Sequence, residues 1–216
     1  MALQPTLVLT GSAVIEQELV DSVPALRLDA YQDPIYEQLP AVAARLDRRE
    51  QAAAWIAGYE ARRAELRAKV HDATGGSRVA ILRIRGELMQ MYGMLNMGYA
   101  LYRSLQLPPP DRIAVQSLCN EHFHSSVITV EELPFYAAEH LFVVVQPDAA
   151  AAACWQALTT SQPWCDYPAV QAGHVYKVDV ADWLSNDPLS LLGQMEEAAA
   201  LLAAESEHHI YPSREQ

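Results

Sequence analysis

Apolar residues in this chain fall in short continuous runs, separated by longer stretches in which they recur every three to four positions. That alternation predicts buried strands, each followed by an amphipathic helix. Leu7, Val8 and Leu9, closed by Gly11 and Ser12, form the first predicted strand, and 25–28 after Pro24 the second. Ile35, Leu39, Val42, Ala43 and Leu46 then take helical spacing. The stretch 48–72 has no proline and one glycine, with Trp55, Tyr59, Leu66 and Val70 on one stripe and Arg62, Arg63, Glu65, Arg67 and Lys69 on the solvated side. Asp47 and Glu50 resemble a capping box at its start, and Gly75-Gly76 ends it. Such a helix is a rod of about 37 Å.

Beyond the glycine pair the alternation resumes. Strands are predicted at 79–84, 141–145 and 175–178, with a weaker one at 113–115. Helices are predicted at 94–105, stopped by Pro108, Pro109 and Pro110; at 149–158, capped by Asp148; and at 188–204. Thr129 and Glu132 form a capping box before a short helix containing Pro134. The tail after 205 is polar. Strands alternating with helices predict an α/β fold with parallel sheets covered by helices, divided by the rod into a small and a larger α/β piece.

Composition narrows the function. Of 216 residues, 51% are apolar and 19% charged, the proportions of a globular chain. The net charge of −12 and the lack of any Lys/Arg run argue against nucleic acid as a partner. Cys119, Cys154 and Cys165 have no metal-type spacing and read as small buried hydrophobes. The opening residues lack the basic region of a signal peptide, and no apolar stretch reaches membrane-spanning length.

Neither a glycine-rich nucleotide loop nor a GxSxG elbow is present. Ser117, Ser125 and Ser126 lie near His122 and His124 without forming a triad pattern, and His122 and His124, with Cys119 and Glu121, are read as loop polarity ahead of a metal cluster. Arg83 and Arg85 stand out more. They end a buried strand two residues apart and so share one side, where open α/β sheets bind ligands. Two guanidiniums there suit an anionic ligand; pairing with a local acid such as Glu87 is the competing reading. Tyr92 in the following loop and Trp183 in the loop after 175–178 are candidate stacking surfaces.

These pieces, in this order, resemble the ferric-siderophore and vitamin B12 substrate-binding proteins of ABC importers. Gln4 to Leu9 is similar to that family's KPDLII strand, with Thr6 where Asp is usual, and Ser22 to Leu26 to its APTV strand. Leu46 to Ala52 opens a helix like the one joining the lobes, and Arg78 to Ile84 looks like the first C-terminal strand. Thr129, Glu131 and Leu133 resemble S-x-E-x-L. Trp164, the run from Pro168 to Tyr176, and Trp183 resemble W…PAVK.GRVY…W, the most specific of these motifs.

The resemblance implies a two-lobed clamp with the ligand between lobes joined by one long rigid helix. The expected boundaries are 1–46 for the remainder of an N-terminal lobe whose opening strands lie outside this sequence, 47–74 for the interlobe helix, 75–205 for the C-terminal lobe and 206–216 for the tail. It implies binding without catalysis and no cofactor: a ferric siderophore or similar iron chelate, delivered to an ABC importer permease, with an extracytoplasmic, tethered or periplasmic location. The alternative is the siderophore-sensing domain of a cytoplasmic AraC-type regulator. Arg83, Arg85, Tyr92 and Trp183 are the expected ligand-binding residues.

Overall fold

The computed structural model describes residues 5–28, 35–120 and 122–209, with side chains left aside at 35–37 and 205–209. The chain divides into two compact units, Met1–Tyr59 and Glu60–Gln216.

In the first unit, β1 (Val8–Thr10) and β2 (Ala25–Arg27) pair in parallel, Val8 opposite Ala25, and α1 (Ala13–Leu19) makes the crossover. Ser12 caps α1 by accepting from the Ile15 N–H at 3.4 Å. Helix α2 (Ile35–Arg45) follows, and Asp47 turns the chain with a φ of 54°. Helix α3 (Arg49–Thr74) is 26 residues long and continuous across the unit boundary, close to the expected 48–72. Trp55 stacks on Tyr59 at 5.2 Å, and farther along Leu66 and Val70 are buried, as their shared stripe requires. Gly75 and Gly76 end the helix with φ values of 57° and 85°, which side chains disfavour.

The second unit is built on a five-stranded sheet in the order β5-β4-β3-β6-β7. Its middle strand β3 (Val79–Arg85) is buried at every position except Arg85. It pairs in parallel with β6 (His140–Val145), which pairs in parallel with β7 (Val175–Val178). On its other side β3 pairs antiparallel with β4 (Leu88–Tyr92), and β4 with β5 (Ser125–Ile128). The sheet is therefore mixed. Arg85 opposes Leu88, so a two-residue turn joins β3 to β4, and Gly86 there takes a φ of 57°, the geometry such hairpins need.

Two segments depart from the sequence expectation. Residues 113–115 lie in a helix, α4 (Asp111–Cys119), not a strand. Pro110 precedes its first turn and Asp111 opens it, a favourable start for a helix. Ile113 is buried while Val115 is 59% exposed, so the apolar run serves one helical face. The helix expected at 94–105 is a 3₁₀ turn (Asn96–Gly98) running into a π-helix (Tyr99–Ser104). Gly98 is pressed so close to the Gly93 carbonyl that a Cβ would lie 1.8 Å from that oxygen. The wider turn buries Tyr102 and lets its hydroxyl donate to the Val79 carbonyl at 3.1 Å.

The remaining elements follow the sequence. Asp148 accepts from the Ala151 N–H at 2.8 Å and caps α5 (Ala149–Thr159). After α6 (Gln162–Cys165), Pro168 opens α7 (Pro168–Ala172) and Gly173 ends it at φ 79°. Helix α8 (Val180–Leu184) precedes α9 (Pro188–His209), which runs past 204 into the residues expected to form the tail. The cysteines are less enclosed than expected: Cys119 and Cys165 are exposed and Cys154 half-buried.

His140, at the start of β6, is buried, stacks on His174 at 4.7 Å and shares a 3.0 Å hydrogen bond with the Tyr176 hydroxyl. Burial, reinforced by the neighbouring His174, pushes its pKa down to about 4. The unfolded chain takes up this proton near pH 6.5 and the folded chain does not. Stability contributed by neutral His140 is thus complete above about pH 6.5 and is lost as pH falls toward 4. The loss reaches about 3 kcal/mol. Urea midpoints measured from pH 7 to pH 4 are expected to fall over this window, and His140→Gln is expected to flatten that part of the curve.

Candidate functional site

The strand pairing determines which side chains share a face. Arg83 lies opposite Gln90 on β4 and Val144 on β6, so all three point to one face of the sheet. Tyr92, two residues beyond Gln90, and Arg85, two beyond Arg83, join them. Tyr92 is thus in strand β4 and buried, not in a loop as its place in the sequence suggested.

Arg83 is 7% exposed. Its Nη1 donates to the Tyr92 hydroxyl at 3.2 Å and its Nη2 to Gln146 Oε1 at 2.7 Å. Its Nε is buried with no hydrogen-bond partner among the described residues. Among those residues neither Arg83 nor Arg85 forms an ion pair with a carboxylate, Glu87 included, so the competing local-acid reading is not what the structure contains. A guanidinium removed from water and held only by neutral acceptors is an uncompensated charge, since buried charges are ordinarily paired. Arg85 is exposed at the strand end.

Tyr92 has a second neighbour. The His124 ring stacks on it, centroids 6.4 Å apart at 19°. Backbone geometry places His124 there: the Gly93 N–H donates to the His124 carbonyl at 2.7 Å, and Phe123 lies over Gly93 so closely that a Cβ would come within 2.5 Å of its ring. His124 Nδ1 lies 2.9 Å from the Ser125 hydroxyl. Gln146 and His124 are the members of this cluster that sequence reasoning did not select. Gln146 follows a buried strand at its carboxyl end, the same signal that pointed to Arg83.

Trp183 stands apart from this group. It was expected as a loop platform; it lies in α8, is fully buried, and packs on Phe142 at 5.2 Å. Its indole N–H donates to Glu197 at 2.7 Å, so its one polar group is already satisfied. Its place is in the packing of α8 and α9 against the sheet. His122 and Cys119 gather no third metal-ligand side chain among the described residues, and Glu121 lies outside them.

The periplasmic binding protein family matches residues 1–181. The chain belongs to that family. It is 25% identical over 194 residues to the iron(3+)-hydroxamate-binding protein FhuD of Bacillus subtilis. The match covers 86% of this chain and 58% of FhuD, so the chain spans little more than half of that relative's length. Among solved structures, FhuD2 from Staphylococcus aureus with bound ferrioxamine B superposes with a TM-score of 0.75 at 17% identity, covering 94% of this chain and 77% of the other. The triscatecholate siderophore binding protein FeuA from Bacillus subtilis, complexed with ferri-bacillibactin, gives 0.73 at 20% identity, covering 94% and 72%. These likenesses show that the fold is that of the siderophore-binding periplasmic proteins.

Two substitutions separate the roles just described. Tyr92→Phe leaves Arg83 Nη1 without its acceptor and is expected to cost about 1–3 kcal/mol. Trp183→Ala is expected to cost about 3–5 kcal/mol by opening a cavity between α8 and the sheet. Urea unfolding measures both. A neutral result for Tyr92→Phe would show that its hydroxyl does not support the buried guanidinium.

Proposed function

We propose that this chain binds a ferric siderophore, or a similar iron chelate, and serves as the substrate-binding component of an ABC importer. It acts by binding and release, without a chemical step. The observation that carries the reading is the Arg83–Tyr92–Gln146 cluster on one face of the second unit's sheet. Arg83 and Tyr92 are held by paired strands, and Gln146 directly follows β6 with its N–H bonded to the Ile84 carbonyl at 2.8 Å, so these groups are positioned in advance of a ligand. Family membership supplies the context, and the relatives named above bind iron chelates of more than one chemistry.

Arg83, Arg85 and Tyr92 are the proposed ligand contacts, with Gln146 fixing Arg83 and His124 flanking Tyr92. The iron is cargo, already ligated by its chelator, so the protein has to recognise the chelate's outer surface and needs no metal ligands of its own. The proposed partner is the importer's permease, and the proposed location is extracytoplasmic, tethered or periplasmic. Among the described residues no helix is long and apolar enough to cross a membrane. The alternative, a sensing domain of an AraC-type regulator, has no counterpart among the relatives named above.

Titration of the chain with ferric catecholate, hydroxamate and carboxylate chelates, followed by tryptophan fluorescence and calorimetry, tests the proposal. Saturable one-to-one binding of at least one class is expected, with weaker binding of the iron-free chelator. No saturable binding by any class would overturn it.

A further inference from the structure

We propose that two copies of this chain associate through strand β5, paired antiparallel across a two-fold axis at Ser126. This surface is separate from the Arg83 cluster and does not depend on the chelate reading above. The strand order β5-β4-β3-β6-β7 leaves β5 at an edge of the sheet. The alternation of hydrogen bonds determines which of its main-chain groups are free. Arg85 and Leu88 close a two-residue hairpin, so Leu88, Gln90 and Tyr92 bond toward β3, and Met89, Met91 and Gly93 toward β5. The 2.7 Å bond from the Gly93 N–H to the His124 carbonyl fits that alternation. Tyr92 lies opposite Ser125 and Gln90 opposite Val127. His124, Ser126 and Ile128 therefore bond inward, and Ser125 and Val127 turn their N–H and C=O groups outward. Among the described residues no hydrogen bond reaches those outward groups. The next outward N–H, at Thr129, is taken up by the Glu132 carboxylate at 3.0 Å. Val127 is 59% exposed, where an edge strand guarded against pairing would carry a charge. Helix α4 lies against β5, with the Gln116 amide donating to the Ser126 hydroxyl at 3.0 Å, and adds the exposed Val115 and Leu118 to this surface.

The free groups are symmetric about Ser126, one residue to either side, and that symmetry selects a second copy as the partner. Run antiparallel, Ser125 of each copy faces Val127 of the other, and each such pair exchanges two main-chain hydrogen bonds. The two five-stranded sheets are then joined edge to edge. The flanking charges agree with this direction. His122 and His124 precede β5, and Glu131 and Glu132 follow it. Antiparallel pairing sets the acidic end of one copy beside the imidazole end of the other and keeps the two acidic ends apart. Repulsion between two chains of net charge −12 is screened beyond about 8 Å at physiological salt.

Sedimentation equilibrium of the full chain at physiological salt, from micromolar to near-millimolar concentration, is expected to show monomer and dimer in exchange. Val127→Pro removes an outward N–H that β4 does not use. It is expected to weaken the dimer about ten- to a hundredfold, the scale of two lost main-chain hydrogen bonds. Val127→Lys, which charges the edge, is expected to weaken it as well. Leu9→Lys, on exposed strand β1 of the first unit, is expected to leave it unchanged. The register has its own test, Ser126→Cys with the exposed Cys119 and Cys165 changed to serine. Residues facing each other in a pair without mutual hydrogen bonds have Cα atoms about 4.5 Å apart, within disulfide range. Oxidised glutathione is therefore expected to link two copies of that variant. Circular dichroism melts establish that each variant is folded; if Val127→Pro is not, Val127→Lys and the cross-link decide. A chain that stays monomeric throughout would overturn the proposal. So would a dimer that survives the Val127 changes, a dimer lost in Leu9→Lys, or a dimer that Ser126→Cys does not link.

Discussion

Strand β3 has to satisfy its backbone hydrogen bonds on both edges while its side chains leave water on both faces. That constraint organises the second unit. A central strand with no exposed position before Arg85 needs partners on either side and cover above and below. It obtains the first from β4 and β6, and part of the second from α5. Arg83 is carried into this setting by the alternation of the strand. Its neighbours Leu82 and Ile84 point to the other face and are fully buried. The charge is therefore held in place by the hydrophobic burial of the residues around it, and the Arg83 cluster cannot be separated energetically from the sheet.

Much of this was legible in the sequence, for identifiable reasons. Val79–Leu82 and Leu141–Val145 are continuous apolar runs of strand length, rich in β-branched and aliphatic residues, the pattern of a doubly buried strand. The long helix could be read because it has no proline and a single glycine, Gly58, between Asp47 and Gly75. The caps at Asp148 and Thr129 could be read because side-chain capping is local chemistry.

The β4–β5 part of the sheet was not legible. Leu88–Tyr92 is rich in methionine and has no β-branched residue, and Ser125–Ile128 begins with two serines. Their strand character comes from pairing with β3. Missing β4 also misplaced Tyr92, since a residue assigned to a loop cannot be assigned to a face. Trp183 failed differently. Its sequence position marked a post-strand segment, but only the tertiary structure shows that Phe142 and Glu197 enclose it. His124 reaches Tyr92 through the close approach of Gly93 and Phe123, a contact with no periodic signature.

The π-helical turn at Tyr99–Ser104 sets a limit on chain length. A π-turn contains about one residue more than an α-turn. Deleting one residue here would restore regular α-helical bonding without breaking any rule of local structure. It would also rotate every later side chain of the turn by about 100°. Tyr102 would swing away from the Val79 carbonyl, and the start of β3 would lose the hydroxyl that closes over it. The segment's register is not adjustable, so this stretch sets the spacing between the sheet's middle strand and the helical cover that follows.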